Sequence, residues 1–182
     1  MPAHATGLVA RRPKQGGGFT LIELVAVMVI VAILAAVAVP SLDRLGETRA
    51  GMAAKHLLRD LTFARQRAVA TGTVTWVVFD PDAETWSVLG EDPDAPGRAG
   101  AATLTDPATG RAHVQQLGAG SFVGVQIVSA AFDDDVEVGF DWLGRPLNAA
   151  EDALGADGTV TLSGGAVIRV TATTGYITHT AP

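Results

Sequence analysis

Apolar residues fill the chain from Leu24 to Val39 without a polar interruption, and the pattern changes twice beyond that run. With Phe19 to Glu23 the run approaches the roughly 20 residues that cross a bilayer as a helix. It is apolar on every side, whereas a helix lying on a soluble domain shows polar residues at helical spacing. One acid, Glu23, stands near its start. A carboxylate is costly in hydrocarbon and is read by default as a functional residue with a partner. The other reading is a tolerated acid at the membrane edge. Pro40 closes the run. Proline removes a helical hydrogen bond and crowds the preceding turn, which predicts a kink or a break at Pro40.

From Ser41 to Thr71 the pattern becomes amphipathic. Leu42, Leu45, Met52, Leu57, Leu58, Leu61 and Ala68 recur at spacings near three and four, the period of one helix face. Arg44, Glu47, Arg49, Lys55, Arg59, Asp60, Arg65 and Arg67 are assigned to the other faces, and Gly72 supplies a C-terminal stop. With the apolar run this makes a single helix of about fifty residues, whose second half needs a cover.

After Thr73 the period changes to two. Thr73 to Phe79 and Thr85 to Leu89 read as strands joined by an Asp80-Pro81-Asp82-Ala83 turn. Gly90 to Arg111 is rich in Pro, Gly, Asp and Ala and reads as a long exposed loop. Ser121 to Ser129 and Val136 to Trp142 are further strands, Leu143 to Pro146 a turn and Asn148 to Asp157 a loop. Thr159 to Ser163, Gly164-Gly165 and Ala166 to Thr173 form a hairpin with a glycine turn, and Tyr176 to Thr178 closes the chain. One helix followed by about seven strands is an α+β arrangement. The segments are then 1–18 as a leader, 19–40 as a transmembrane helix, 41–72 as the amphipathic helix half and 73–182 as a β-rich domain.

Charge orients this plan. Arg11, Arg12 and Lys14 precede the apolar run, so the positive-inside rule keeps the N-terminus in the cytoplasm and delivers the remainder outside. An ordinary secretory signal peptide has the same outline, and Ala35 to Ser41 offers small residues for its removal. The acid within the run and Gly16-Gly17-Gly18 before it fit that alternative poorly. The 182 residues carry a formal net charge of −6, and removal of the basic leader makes the rest more acidic. That argues against general nucleic-acid affinity, which rests on neutralising phosphates. Cysteine is absent, so packing alone must stabilise the domain, with no disulfide and no redox thiol.

The stretch Gly18-Phe19-Thr20-Leu21-Ile22-Glu23, with its basic leader and the apolar run to Pro40, resembles the class III signal of type IV pilins and of the pseudopilins of type II secretion. The resemblance implies cleavage by a prepilin peptidase between Gly18 and Phe19 and N-methylation of Phe19. It makes Glu23 the acid that pairs, during assembly, with the Phe19 amine of a neighbouring subunit. It also places Pro40 within one long helix. Val138-Gly139-Phe140-Asp141-Trp142-Leu143-Gly144-Arg145-Pro146, followed by the Thr159 to Ile177 hairpin and Gly175, resembles the C-terminal pattern of the GspH/FimT minor pseudopilin family. The implied fold is type IV pilin-like, with a long N-terminal helix packed on an antiparallel sheet or sandwich. The implied role is a structural subunit of the periplasmic pseudopilus in protein secretion. Its implied partners are the other pseudopilins of the tip and shaft, the peptidase and the inner membrane. A FimT-like minor pilin, serving pilus assembly or DNA uptake, is the alternative. Family members that bind DNA carry a basic C-terminal stretch, and Gly175 to Pro182 contains no Lys or Arg.

Catalytic chemistry finds no support. His4, His56, His113 and His179 are scattered without metal-ligand spacing, and neither a G-x-S-x-G nor a P-loop motif is present. A membrane-tethered periplasmic enzyme therefore lacks a constellation, and neither a cofactor nor a metal is expected. Asp133-Asp134-Asp135 could offer hard oxygen ligands to Ca²⁺, but without EF-hand spacing it reads first as a solvated turn. Gly118 to Ser121 reads as a turn rather than a phosphate cradle. Arg145 reads as part of a structural turn, and Trp76, Trp86 and Trp142 as core residues on strands.

Overall fold

The structure, a computed structural model, describes residues 19–180, with residues 37–44 described by their backbone alone. Two compact units divide the chain between Pro40 and Ser41. One helix, α1 (Leu21–Thr71), runs through that boundary. Its helical assignment continues across Pro40, while the surroundings of the proline lie outside the described residues. At the other end Gly72 takes φ 73 and donates its N–H to the Ala68 carbonyl at 2.9 Å. A left-handed residue after the last turn satisfies a carbonyl that would otherwise lack a partner.

The buried face of the second half of α1 differs from the expected stripe. Ala50, Ala53, Ala54, Leu57, Leu61, Ala64 and Ala68 are buried, whereas Leu45 and Met52 are exposed and Leu58 is half-buried. The side chain of Leu42 lies outside the described residues. Short side chains on this face let the helix come close to the sheets, and a row of larger ones would hold it away. Alanine is also the best helix former and appears on any face, so size rather than hydropathy separates the true stripe from the expected one.

Among the described residues ten strands follow, where about seven were expected. The first sheet centres on β1 (Thr75–Asp80) and its hairpin partner β2 (Thr85–Gly90), in register from Thr75↔Gly90 to Asp80↔Thr85. β3 (Ala102–Thr103) and β4 (Val114–Gln116) both pair with the far side of β2. β6 (Glu137–Phe140) pairs with β1, and β7 (Pro146–Leu147) closes that edge. The second sheet has the order β10-β9-β8-β5, with β5 (Ile127–Ala131), β8 (Gly158–Leu162), β9 (Val167–Val170) and β10 (Ile177–Thr180). All pairings are antiparallel. At the β8–β9 turn Gly164 and Gly165 hold φ 81 and 82, backbone that glycine adopts without steric cost.

Several expected boundaries move. The strand expected over 121–129 begins at Ile127, because Gly120–Phe122 forms a 3-10 turn that buries Phe122 and Gly124 reverses the chain at φ 81. The loop expected from Gly90 to Arg111 contains β3 and packs Leu104 against the core. β4 occupies a stretch in which no element was expected. Strands of two or three residues carry too few positions to show a period of two. The last strand falls at 177–180, one residue later than expected at its start.

The core lies where the helix face meets both sheets. Val77, Phe79, Trp86, Val88, Val138 and Phe140 come from the first sheet, and Val160, Leu162, Ile168 and Val170 from the second. Phe79 and Phe132 stack with centroids 5.7 Å apart. Trp76 and Trp86 are fully buried as expected, but Trp142 is 59% exposed, which corrects its assignment to the core. A chain beginning at Ala50 keeps every residue of this core, so it is expected to be soluble, monomeric and cooperatively folded. Circular dichroism with thermal unfolding checks this. A disordered spectrum would mean that the core needs the rest of α1 or a partner.

Candidate functional site

The N-terminus of α1 carries the residues that the sequence singled out. The first four N–H groups of a helix have no partner within it. Thr20 supplies one: its hydroxyl Oγ1 accepts the Glu23 N–H at 3.3 Å, and its carbonyl accepts the N–H groups of Glu23 and Leu24 at 3.1 Å. Thr followed three residues later by Glu is the order of a capping box. The Glu23 carboxylate therefore belongs to the first turn, where the helix dipole favours an anion. Among the described residues Glu23 forms no ion pair. Gly18 lies outside the described residues. Phe19, next to it, is 83% exposed.

From Phe19 to Ala36 every side chain is exposed, and nearly all are apolar. Leu21, Ile22, Leu24, Val25, Met28, Ile30 and Ile33 are among these exposed side chains. An apolar surface of this extent marks contact with a membrane or with other protein. Among the described residues no helix is long and apolar enough to cross a membrane. The fully described part of the run ends at Ala36, short of the roughly 20 residues of a span, and the sequence continues it to Val39.

The other residues considered from sequence are held in the domain by structural bonds. Asp133, at φ 55, accepts the N–H groups of Gly155 and Ala156 at 3.1–3.3 Å and ties two loops together. Among the described residues no group of His, Asp and Glu could hold a metal ion. The structure does not bring His56, His113 and His179 together into one ligand set. Arg145 pairs with Asp141 through Nε at 2.8 Å and Nη2 at 2.7 Å. Burial pushes the Asp141 carboxyl up, yet the N–H groups of Arg145 and Leu143 and the Arg145 guanidinium outweigh it and hold the group below the ordinary aspartate range.

The buried polar groups that sequence did not find include the carboxylates of Asp60 and Glu137. Asp60, assigned to an exposed face, is 1% exposed. Its carboxylate accepts the Trp86 indole N–H at 2.9 Å and the Arg59 guanidinium at 3.2 Å. His113 Nε2 stands 3.3 Å from the same carboxylate, at ion-pair distance but outside hydrogen-bond geometry. The signal was present: Asp60 lies three residues after Leu57 on the buried stripe, and a buried indole needs an acceptor. Glu137 is also buried and receives a two-pronged contact from Arg98 at 2.6 and 2.7 Å. That bond raises the Arg98 guanidinium above its ordinary value. No spacing in sequence joins residues so far apart.

Comparison with known proteins agrees with both halves of this picture. Residues 14–39 match the prokaryotic N-terminal methylation motif. No curated protein matches the chain in sequence. Two structures of the minor pseudopilin EpsH from the type II secretion system of Vibrio cholerae are similar in fold. One has a TM-score of 0.52 at 16% identity, covering 74% of this chain and 98% of that one. The other has a TM-score of 0.53 at 12% identity, covering 75% and 98%. The chain thus combines a prokaryotic N-terminal methylation motif with a fold similar to that of the minor pseudopilin EpsH.

Proposed function

We propose that this chain is a minor pseudopilin of the GspH type, a structural subunit of the periplasmic pseudopilus of a type II secretion system. The observation that carries the reading is the exposed apolar start of α1, which bears the methylation motif and continues as the helix whose second half packs in the core of the two-sheet domain. Residues 19–40 would anchor the chain in the inner membrane, with the domain in the periplasm. Prepilin peptidase would cut between Gly18 and Phe19 and methylate the new amine. On assembly, contact with neighbouring anchor helices replaces contact with lipid. Glu23 would pair with the Phe19 amine of a neighbour and set the axial register. The function is packing rather than catalysis.

Intact-mass measurement of protein extracted from membranes that contain the peptidase tests this. The expected species begins at methylated Phe19. A species beginning near Ser41 would identify an ordinary signal peptide and overturn the filament reading. Deletion of the gene is expected to reduce secretion, with recovery on returning the intact chain.

A further inference from the structure

The turn after β6 uses several strong bonds to hold an aromatic side chain in solvent. The Asp141 carboxylate accepts the N–H groups of Leu143 at 2.9 Å and Arg145 at 2.8 Å, while the Arg145 guanidinium pairs with it from the side. Gly144 sits at φ 76. Its carbonyl accepts Arg65 Nε at 3.0 Å, and Arg65 Nη2 donates to the Thr174 carbonyl at 3.2 Å. A Cβ added to Gly175 would lie 2.2 Å from the Gly144 carbonyl oxygen, so the 141–146 and 171–176 turns are in direct contact. Arg65 on α1 clamps both.

The product of this clamp is an apolar surface. Trp142 is 59% exposed and Tyr176 65%, and Leu143 and Val69 are also largely in solvent. Leu143 and Val69 line one groove together with Arg65, Gln66 and Ala70. Trp142 is left largely in solvent, yet the turn that carries it is held by the Asp141 carboxylate and by Arg65. Aromatic side chains fixed in advance lose little entropy on binding and dominate interface energetics.

Charge says what covers the groove. The chain as a whole is acidic, at −6. The groove contains one cation and no acid. Arg65 donates to two carbonyls but forms no ion pair among the described residues. A basic groove on an acidic molecule complements a carboxylate, and an apolar floor complements the side chain beside it.

We infer that the Trp142–Leu143–Val69–Tyr176 surface is the docking site for an acid-bearing apolar segment in the outer domain of a different pilin-like subunit. This rests on the filament reading above. It assigns the contact to residues of the domain rather than to residues 19–40.

The test uses the full chain in its own membranes, with a photo-reactive amino acid placed in turn at Ala70 in the groove, at exposed Val128 on β5, and at Val31 in the apolar helix. The Ala70 probe is expected to cross-link a second pilin-like subunit through a peptide containing Asp or Glu, and the Val128 probe to leave that peptide unlabelled. Trp142→Ser should lower the Ala70 yield by roughly tenfold or more. At the exposed neighbour Gln66, a Gln66→Glu change should lower it and Gln66→Lys should not. Cross-links from Val31 without any from Ala70 would overturn the docking site and leave the filament reading standing. So would Ala70 adducts with lipid, with a second copy of this chain or with an acid-free peptide. Equal yields for Gln66→Glu and Gln66→Lys would overturn the charge argument and the proposed partner with it. Absence of pilin-like partners at both Val31 and Ala70 would remove the filament reading itself.

Discussion

Gly175→Ala is expected to lower the melting temperature of the domain by roughly 6–12 °C, from about 3 kcal/mol at about 2–4 °C per kcal/mol for a domain of this size. Two effects add. Gly175 holds φ 63, where a Cβ costs about 1–2 kcal/mol. The same Cβ would meet the Gly144 carbonyl oxygen at 2.2 Å and Arg65 Nε at 3.2 Å. The first contact is backbone against backbone, so neither atom can move aside as a side-chain tip would. Opening it separates the two turns and releases the hydrogen bonds from Arg65. Gly110→Ala separates the two effects, since Gly110 has φ 68 but open space around the added Cβ. It should cost only the conformational part, about 1–2 kcal/mol. Thermal unfolding of both variants checks this, and equal shifts would show that the contact between the turns contributes nothing.

Glu23→Leu is expected to leave membrane insertion intact and to abolish assembly. Leucine in hydrocarbon is favourable where a carboxylate is costly, so the variant should reach the membrane at least as well as the natural chain. In the proposed filament the lost carboxylate leaves a neighbour's Phe19 amine buried without a counter-charge. Removing one member of a buried pair costs about 3–5 kcal/mol. At 1.4 kcal/mol per decade that is more than about a hundredfold per subunit contact. Glu23→Gln keeps the size and the helical start, with Thr20 still accepting the residue 23 N–H, and removes only the charge. Both variants should fail to cross-link neighbouring subunits in cells lacking the natural copy. Normal cross-links and full secretion in either would sink the register role of Glu23 without touching the fold.

How far the sequence reached depends on the kind of signal each element carries. The helix and its Gly72 stop were legible because helical periodicity runs over many residues and is terminated by local backbone chemistry. The β1–β2 and β8–β9 hairpins were legible for the same reason: alternation and turn residues lie within a few positions of one another. The methylation motif over residues 14–39 was legible because it is contiguous. β3 and β4 were not, since two or three residues cannot display a period, and they exist because β2 offers them an edge.

The tertiary structure decided three things that local pattern could not. It selected the alanine face of α1 over the expected leucine positions, because the separation of helix and sheets limits side-chain size. It buried Asp60 and Glu137, because Trp86 and Arg98, distant in sequence, supply the hydrogen bonds that make burial of a carboxylate tolerable. It turned Trp142 outward, because Asp141, Gly144, Arg65 and Gly175 lock the turn in which it sits. Amphipathic period, turn chemistry and a contiguous motif are properties of neighbours along the chain. Size complementarity, charge pairing and the exposure of a single aromatic ring depend on residues brought together only by folding.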